Sequence, residues 1–284
     1  MVTISDYAGL QPAWCPGCGN FGILKAVNEA LVGLGIEPHR VLLVSGIGQA
    51  GKLPHYTRGN VFNSLHGRPV PPAIGAKIAN PDLVVIAVSG DGDAYGEGGN
   101  HFIHAARRNH DITYLVHNNQ VYGLTKGQAS PTSDAGFITK TTPEGAANPV
   151  NPIALAIVSG ASFVARGFAG DSDHLAGIIK EGILHRGFSL IDILQPCVSF
   201  NHRNTFQWYR QRVYKLEDEK GYDPADKKAA LEKALEWGER IPTGIIYSRE
   251  VPVYEDGLPA LREGALVSQA IAPERAGKLI AEFL

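Results

Sequence analysis

Apolar positions along the chain switch between two periods. Phe21, Leu24, Val27 and Leu31 recur at helical spacing across residues 20–34, with Gly35 just beyond as a stop. Val41 to Val44 then forms an unbroken apolar run of strand length, and Leu83 to Val88 is a second, ended by Gly90-Asp91-Gly92. Residues 98–109 predict the next helix and Ile112 to Val116 the next strand. The pattern repeats with a helix at Pro152 to Ser159, a strand at Ala161 to Ala165, a helix at Asp173 to Leu184 and a strand at Phe188 to Leu194 that runs into Gln195-Pro196-Cys197. Strands that are apolar throughout are buried on both faces. Their alternation with helices predicts an α/β fold with a mainly parallel sheet and helices on both faces.

Open sheets of this kind bind ligands beyond the carboxyl ends of their strands. Gly46, Asp91, Asn119 and Cys197 all fall just after predicted strands, so four segments with chemical potential are expected on one rim. Residues 125–150, rich in Thr, Pro, Ser, Gly and Ala, read as a long loop, and loops of that length in a compact domain are usually functional or mobile. After Asn201 the chain becomes charged and aromatic, with a charged stretch at Lys215 to Lys220 and a helix at Asp226 to Trp237. This division predicts a core domain over 1–200 and a C-terminal arm over 201–284, packing on the core or on a partner.

Composition narrows the function classes. The 284 residues carry 26 basic and 28 acidic side chains, a net charge of -2 that provides no field for a nucleic-acid backbone or an anionic membrane. Charged residues are only 19% of the chain, which predicts extensive buried or partner-covered surface and hence a subunit. No window reaches the apolar length of a membrane span, and the N-terminus lacks the regions of a signal peptide, so a soluble, cytoplasmic protein is expected. The 3 cysteines are an odd count for a disulfide framework, and Cys15-Pro-Gly-Cys18 suggests metal or redox chemistry.

The most specific segment is Gly90-Asp91-Gly92-Asp93, followed one helix and one strand later by Asn118-Asn119-Gln120-Val121-Tyr122-Gly123. That separation lets the two loops lie side by side. A small hard cation such as Mg2+ takes a carboxylate, an amide or carbonyl oxygen, and phosphate oxygens; Asp91, Asn119 and the Val121 carbonyl offer the protein's share. The glycines admit phosphate close to the backbone, and the following helix can present its positive end. Taken singly, each half is also an ordinary strand-ending turn. The pair resembles the thiamine diphosphate motif. With Trp14-Cys-Pro-Gly-Cys-Gly19, His66-Gly-Arg68, Tyr122 to Thr132 and Gln195-Pro-Cys197, it resembles the beta subunit of the two-subunit 2-oxoacid:ferredoxin oxidoreductases, in the same order over most of residues 10–201. Trp237 to Tyr247 is similar to that family's tail.

The resemblance implies a thiamine diphosphate-binding fold, with thiamine diphosphate, Mg2+ and a [4Fe–4S] cluster carried by the 1–200 domain. It places Ile47, Gly48, Gly90, Asp91, Gly92, Asp93, Asn119, Val121, Gly123, Leu124 and Thr125 around the organic cofactor, Asp91, Asn119 and Val121 on Mg2+, and Cys15, Cys18 and Cys197 on the cluster. The family's remaining cluster cysteine lies in a Ser-Gly-Ile-Gly-Cys segment, which here reads Ser45-Gly-Ile-Gly-Gln49. Two other readings of the cysteines stand beside this one: thiols that merely pack, or a zinc site completed by His55 or His202.

For catalysis the resemblance points to His66 at the oxo group or cofactor and to Lys52 as a counter-charge for a substrate carboxylate, although a structural histidine and a solvated lysine are the ordinary alternatives. Leu124 stands where pyruvate-specific relatives tend to have a polar residue, which favours 2-oxoglutarate. An alpha subunit is expected to supply the rest of the thiamine site and the coenzyme A contacts, in a heterodimer or a dimer of heterodimers, with ferredoxin as acceptor. The chain alone should then be inactive. The competing functions are a non-redox thiamine diphosphate decarboxylase or synthase subunit and an inert, zinc-stabilised interaction subunit.

Overall fold

Along each central strand, neighbouring side chains go to opposite faces and both faces are covered. Leu43, Ile86, Val88, Leu115 and Ile191 pack into one buried cluster, and Val44, Val85, Ala87, Val116 and Leu190 into another. This is why the strands read as continuous apolar runs. The computed structural model describes residues 1–270 and 273–283. In chain order the main elements are α1 (Asn20–Gly33), β1 (Val41–Ser45), α2 (Leu53–Tyr56), β2 (Asn60–Asn63), α3 (Val70–Ala79), β3 (Val84–Gly90), α4 (Gly99–Arg108), β4 (Thr113–Asn118), β5 (Val121–Tyr122), β6 (Gln128–Ala129), α5 (Pro152–Ser159), β7 (Phe163–Phe168), α6 (Ser172–Leu184), β8 (Ser189–Leu194), α7 (Phe206–Arg210), β9 (Val213–Lys215), α8 (Lys227–Leu235), β10 (Ile241–Ser248) and α9 (Pro273–Ala281).

Eight strands make one sheet in the order β2-β1-β3-β4-β8-β7-β10-β9, and β5 with β6 forms a small hairpin. From β2 to β7 every pairing is parallel, while β10 runs antiparallel to β7. Helices α1 and α6 cover one face through Ile23, Val27, Leu31, Leu175 and Ile179. On the other face, α3, α4, α5 and α8 bury Val70, Ala73, Phe102, Ala106, Ile153, Ile157 and Ala230. The expected α/β architecture is therefore present, with the ends of β1, β3, β4 and β8 adjacent on one rim.

Several elements differ from the sequence reading. The strand expected at 161–165 runs Phe163–Phe168 instead, because Gly160 ends α5 in the left-handed conformation and Ser162 is drawn into hydrogen bonds with Asn109 Oδ1 (2.6 Å) and His185 Nε2 (2.7 Å). Residues 92–97 wind as a π-helical turn ahead of α4. The segment after Asn201 does more than lie against the core: β9 and β10 extend the same sheet. No described helix is long and apolar enough to cross a membrane.

Candidate active site

Gly90 ends β3, and the π-helical turn that follows folds Asp91 and Asp93 back into the protein, where both are buried. Their surroundings separate their roles. Asp91 Oδ2 accepts hydrogen bonds from Ser130 Oγ (2.5 Å) and Thr132 Oγ1 (2.6 Å), and Oδ1 faces the Asn119 N–H (3.4 Å). Burial pushes its carboxyl up to about 6, against the two hydroxyls that favour the charged form. A carboxylate with so little solvent is well disposed to a cation. Asp93 is instead an internal tie. Its Oδ1 accepts from the N–H groups of Ile47 (3.1 Å) and Gly67 (2.7 Å) and lies 2.5 Å from His66 Nδ1, and its Oδ2 accepts from Ser89 Oγ (2.5 Å). It therefore fixes the loops after β1 and β2 relative to β3.

The Asn119 loop leaves β4 through Gln120, a non-glycine residue at a φ of 60°. Asn119 Oδ1 accepts from the Val121 N–H (3.1 Å), and its carbonyl accepts from Asn201 Nδ2 (3.2 Å). The two loops pack so closely that a Cβ on Gly92 would meet the Tyr122 ring at 2.3 Å, and one on Gly46 would meet the Asp93 carboxylate at 1.7 Å. Only glycine fits at these approaches.

The result is one cleft lined by Ile47, Gly48, Gln49, His66, Gly90, Asp91, Gly92, Asp93, Asn119, Val121, Tyr122, Gly123, Leu124 and Thr125. It brings together the residues the sequence analysis placed on the cofactor, together with His66 and Leu124. His66 is held between Asp93 and Glu97, whose Oε2 is 3.6 Å from Nε2. Lys52 is not among the lining residues; it sits at the end of a short 3-10 turn, next to the cleft in sequence. The sequence reading missed Ser130 and Thr132, whose hydroxyls clamp Asp91, and Tyr122, whose hydroxyl donates to the Glu97 carboxylate (3.3 Å).

A second, smaller cavity adjoins the first. Cys15, Cys18 and Cys197 all line it, with Trp14, Asn20, Gln49, Asn119, Gly123 and Gln195. All three cysteines are free thiols. Burial, and then the nearby Cys197 and Cys15, push the Cys18 thiol up to about 11 despite hydrogen bonds to its sulfur. Ser199 Oγ donates to Cys15 Sγ (3.1 Å) and Gln195 Nε2 to Cys18 Sγ (3.4 Å). His117, kept neutral by burial with its imidazole pushed down to about 3, lies 2.8 Å from Asn20 Oδ1 and braces the floor. Among the described residues no three His, Cys, Asp or Glu side chains stand at metal-binding separation. The donor chemistry nonetheless suits a thiophilic metal: the three thiols share the cavity with two buried carboxamide oxygens, Gln49 Oε1 and Gln195 Oε1, that have no hydrogen-bond partner. Neither His55 nor His202 lines it.

A family model for the C-terminal TPP-binding domain of thiamine pyrophosphate enzymes matches residues 46–193, and one for the C-terminal part of the pyruvate ferredoxin oxidoreductase beta subunit matches residues 197–263. The chain is 50% identical to a 2-oxoacid:ferredoxin oxidoreductase subunit beta from a Sulfolobus species, over 94% of this chain and 92% of that protein. The chain belongs to this family of beta subunits. A Saccharolobus solfataricus subunit of the same description is 52% identical over 85% of this chain and 84% of its own length. The solved structure of a 2-oxoglutarate:ferredoxin oxidoreductase from Magnetococcus marinus, with 2-oxoglutarate, coenzyme A and succinyl-CoA bound, superposes with a TM-score of 0.91 at 37% identity, covering 99% of this chain and 96% of that one. As a 2-oxoacid:ferredoxin oxidoreductase beta subunit, the chain is an oxidoreductase component with a TPP-binding domain, and its subunit class implies an alpha-subunit partner.

Proposed function

We propose that this beta subunit works on 2-oxoglutarate, in a coenzyme A-dependent decarboxylation that yields acyl-CoA and CO2, or in the reverse carboxylation, with electrons passing through an iron–sulfur cluster to ferredoxin. The observation that carries the reading is the adjacency of two cavities. The Asp91 and Asn119 loops form one, three thiols line the other, and Gln49 lies in the wall of both. The 2-oxoglutarate bound in the Magnetococcus marinus structure supports the choice of substrate.

In this reading Asp91, Asn119 Oδ1 and the Val121 carbonyl hold Mg2+ and with it the diphosphate, beside the close-packed glycines of the same turn. Ser130 and Thr132 aim the Asp91 carboxylate at the metal. Bound thiamine diphosphate supplies the carbon centre that adds to the 2-oxo group and accepts the electron pair left when CO2 departs. His66, with one nitrogen tied to Asp93, keeps its other nitrogen toward Glu97 at the cleft mouth, where it can hold a proton near the oxo oxygen. Leu124 gives the pocket an apolar wall, and Lys52, close by in sequence, is the counter-charge for the second substrate carboxylate. Cys15, Cys18 and Cys197 hold the cluster. Ile47 and Leu124, which line the cleft, are exposed, apolar surface of the kind an alpha subunit would cover.

Substrate choice is tested by measuring ferredoxin reduction and coenzyme A consumption in the assembled complex with 2-oxoglutarate and with pyruvate. Higher kcat/KM for 2-oxoglutarate is expected; a preference for pyruvate would overturn the choice. A non-redox thiamine enzyme would instead release CO2 without reducing ferredoxin.

A further inference from the structure

Gln49 occupies an unusual position. Its backbone is fixed: the carbonyl accepts from Trp14 Nε1 (2.8 Å), the residue that leads into Cys15-Pro-Gly-Cys18. Its side chain forms part of the wall between the thiol cavity and the cleft. The carboxamide oxygen is shielded from solvent yet has no hydrogen-bond partner. A buried carbonyl-type oxygen without a donor destabilises the fold unless something occupies its lone pairs. The other orphaned oxygen in that cavity belongs to Gln195, whose amide nitrogen is already engaged with Cys18 Sγ (3.4 Å) and the Pro196 carbonyl (3.0 Å). Gln195 is thus anchored as a donor to a sulfur, while the Gln49 oxygen, in a residue that lines the same cavity as the thiols, is unengaged.

Resting on the reading that Cys15, Cys18 and Cys197 hold a cluster, we propose that the Gln49 carboxamide oxygen is its fourth protein ligand, binding the iron that no cysteine reaches. A cubane offers four iron corners and this chain has three thiolates, so one corner needs a donor from elsewhere. A neutral oxygen there leaves the cluster one negative charge poorer than a four-thiolate site. That favours the reduced state and raises the reduction potential. The same residue borders the cleft of Asp91 and Asn119.

The test uses the anaerobically purified alpha–beta complex, with iron and sulfide content and electron paramagnetic resonance of the wild type, Gln49→Ala, Gln49→Cys and Gln195→Ala. Retention of the alpha subunit and of thiamine diphosphate serves as the folding control. Wild type and Gln195→Ala should hold a four-iron cluster. Gln49→Ala should lose about one iron in four and show the signal of an oxidised three-iron cluster. Gln49→Cys should keep all the iron and titrate at a lower potential. A three-iron cluster in the wild type, or full iron content with an unchanged potential in Gln49→Ala, would overturn the proposal and leave the cluster reading intact. A three-iron cluster in Gln195→Ala with a normal Gln49→Ala would overturn it in favour of Gln195. Absence of iron from every variant would overturn the cluster reading itself.

Discussion

The contrast between Asp91 and Asp93 shows how a single turn assigns two carboxylates different tasks. Both are buried, yet Asp93 is fully occupied by backbone and side-chain donors, whereas Asp91 meets two hydroxyls from the loop after β6 and looks into the cleft. Replacing Thr132 by Val removes one charge-favouring hydrogen bond worth about 1.5–3 kcal/mol. Mg2+-dependent retention of thiamine diphosphate should weaken by roughly tenfold or more; unchanged retention in an equilibrium binding measurement would count against Asp91 as the metal anchor. The sequence made Asp91 legible because Gly-Asp-Gly after an apolar run is a local pattern. Ser130 and Thr132 were not legible, since nothing periodic in the 125–150 loop says which hydroxyls turn inward. Asp93 was legible as a rim residue through its charge and position, while the donors it holds, from Ile47, Gly67 and Ser89, were not.

Among the elements, the central strands and their helices could be read because burial on both faces writes itself as unbroken apolar runs. β2 and β10 could not. β2 is a short, exposed edge strand, Asn60–Asn63, and β10 contains Pro242 and Gly244, residues that normally interrupt strands. β10 tolerates them near the end of the sheet, with an irregular register against β7 between Ile245 and Tyr247. The chain after β10 is tied to the core at the start of β4, where Glu255 Oε1 meets His110 Nδ1 at 2.8 Å in a buried pair. Burial raises the Glu255 carboxyl, but the bonds from His110 and from backbone N–H groups outweigh it and hold the group below its ordinary value. Its folded pKa being lower than that of the unfolded chain, Glu255 stabilises the fold fully above about pH 4.3, and the contribution is lost as pH falls through the folded value. Glu255→Gln should therefore cost more stability at pH 7 than at pH 3. Urea unfolding at both pH values checks this, and an equal loss at the two would contradict the linkage.

At the scale of the whole molecule, the strand order does what the linear sequence does not reveal. β8, late in the chain, inserts between β4 and β7, so Cys197 arrives beside the Asn119 loop, and Gly19, next to Cys18, donates its N–H to the Pro196 carbonyl (3.3 Å). The rim was legible as a set of strand ends; which ends touch was settled by the pairing. The pairing gathers the three thiols beside the cleft of Asp91 and Asn119, and the proposed function couples the two. Electron paramagnetic resonance of the anaerobically purified complex, before and after addition of 2-oxoglutarate and coenzyme A, tests that coupling most directly. A reduced iron–sulfur signal that appears only with substrate is the expected result; CO2 release from 2-oxoglutarate with no iron signal in any state would contradict it.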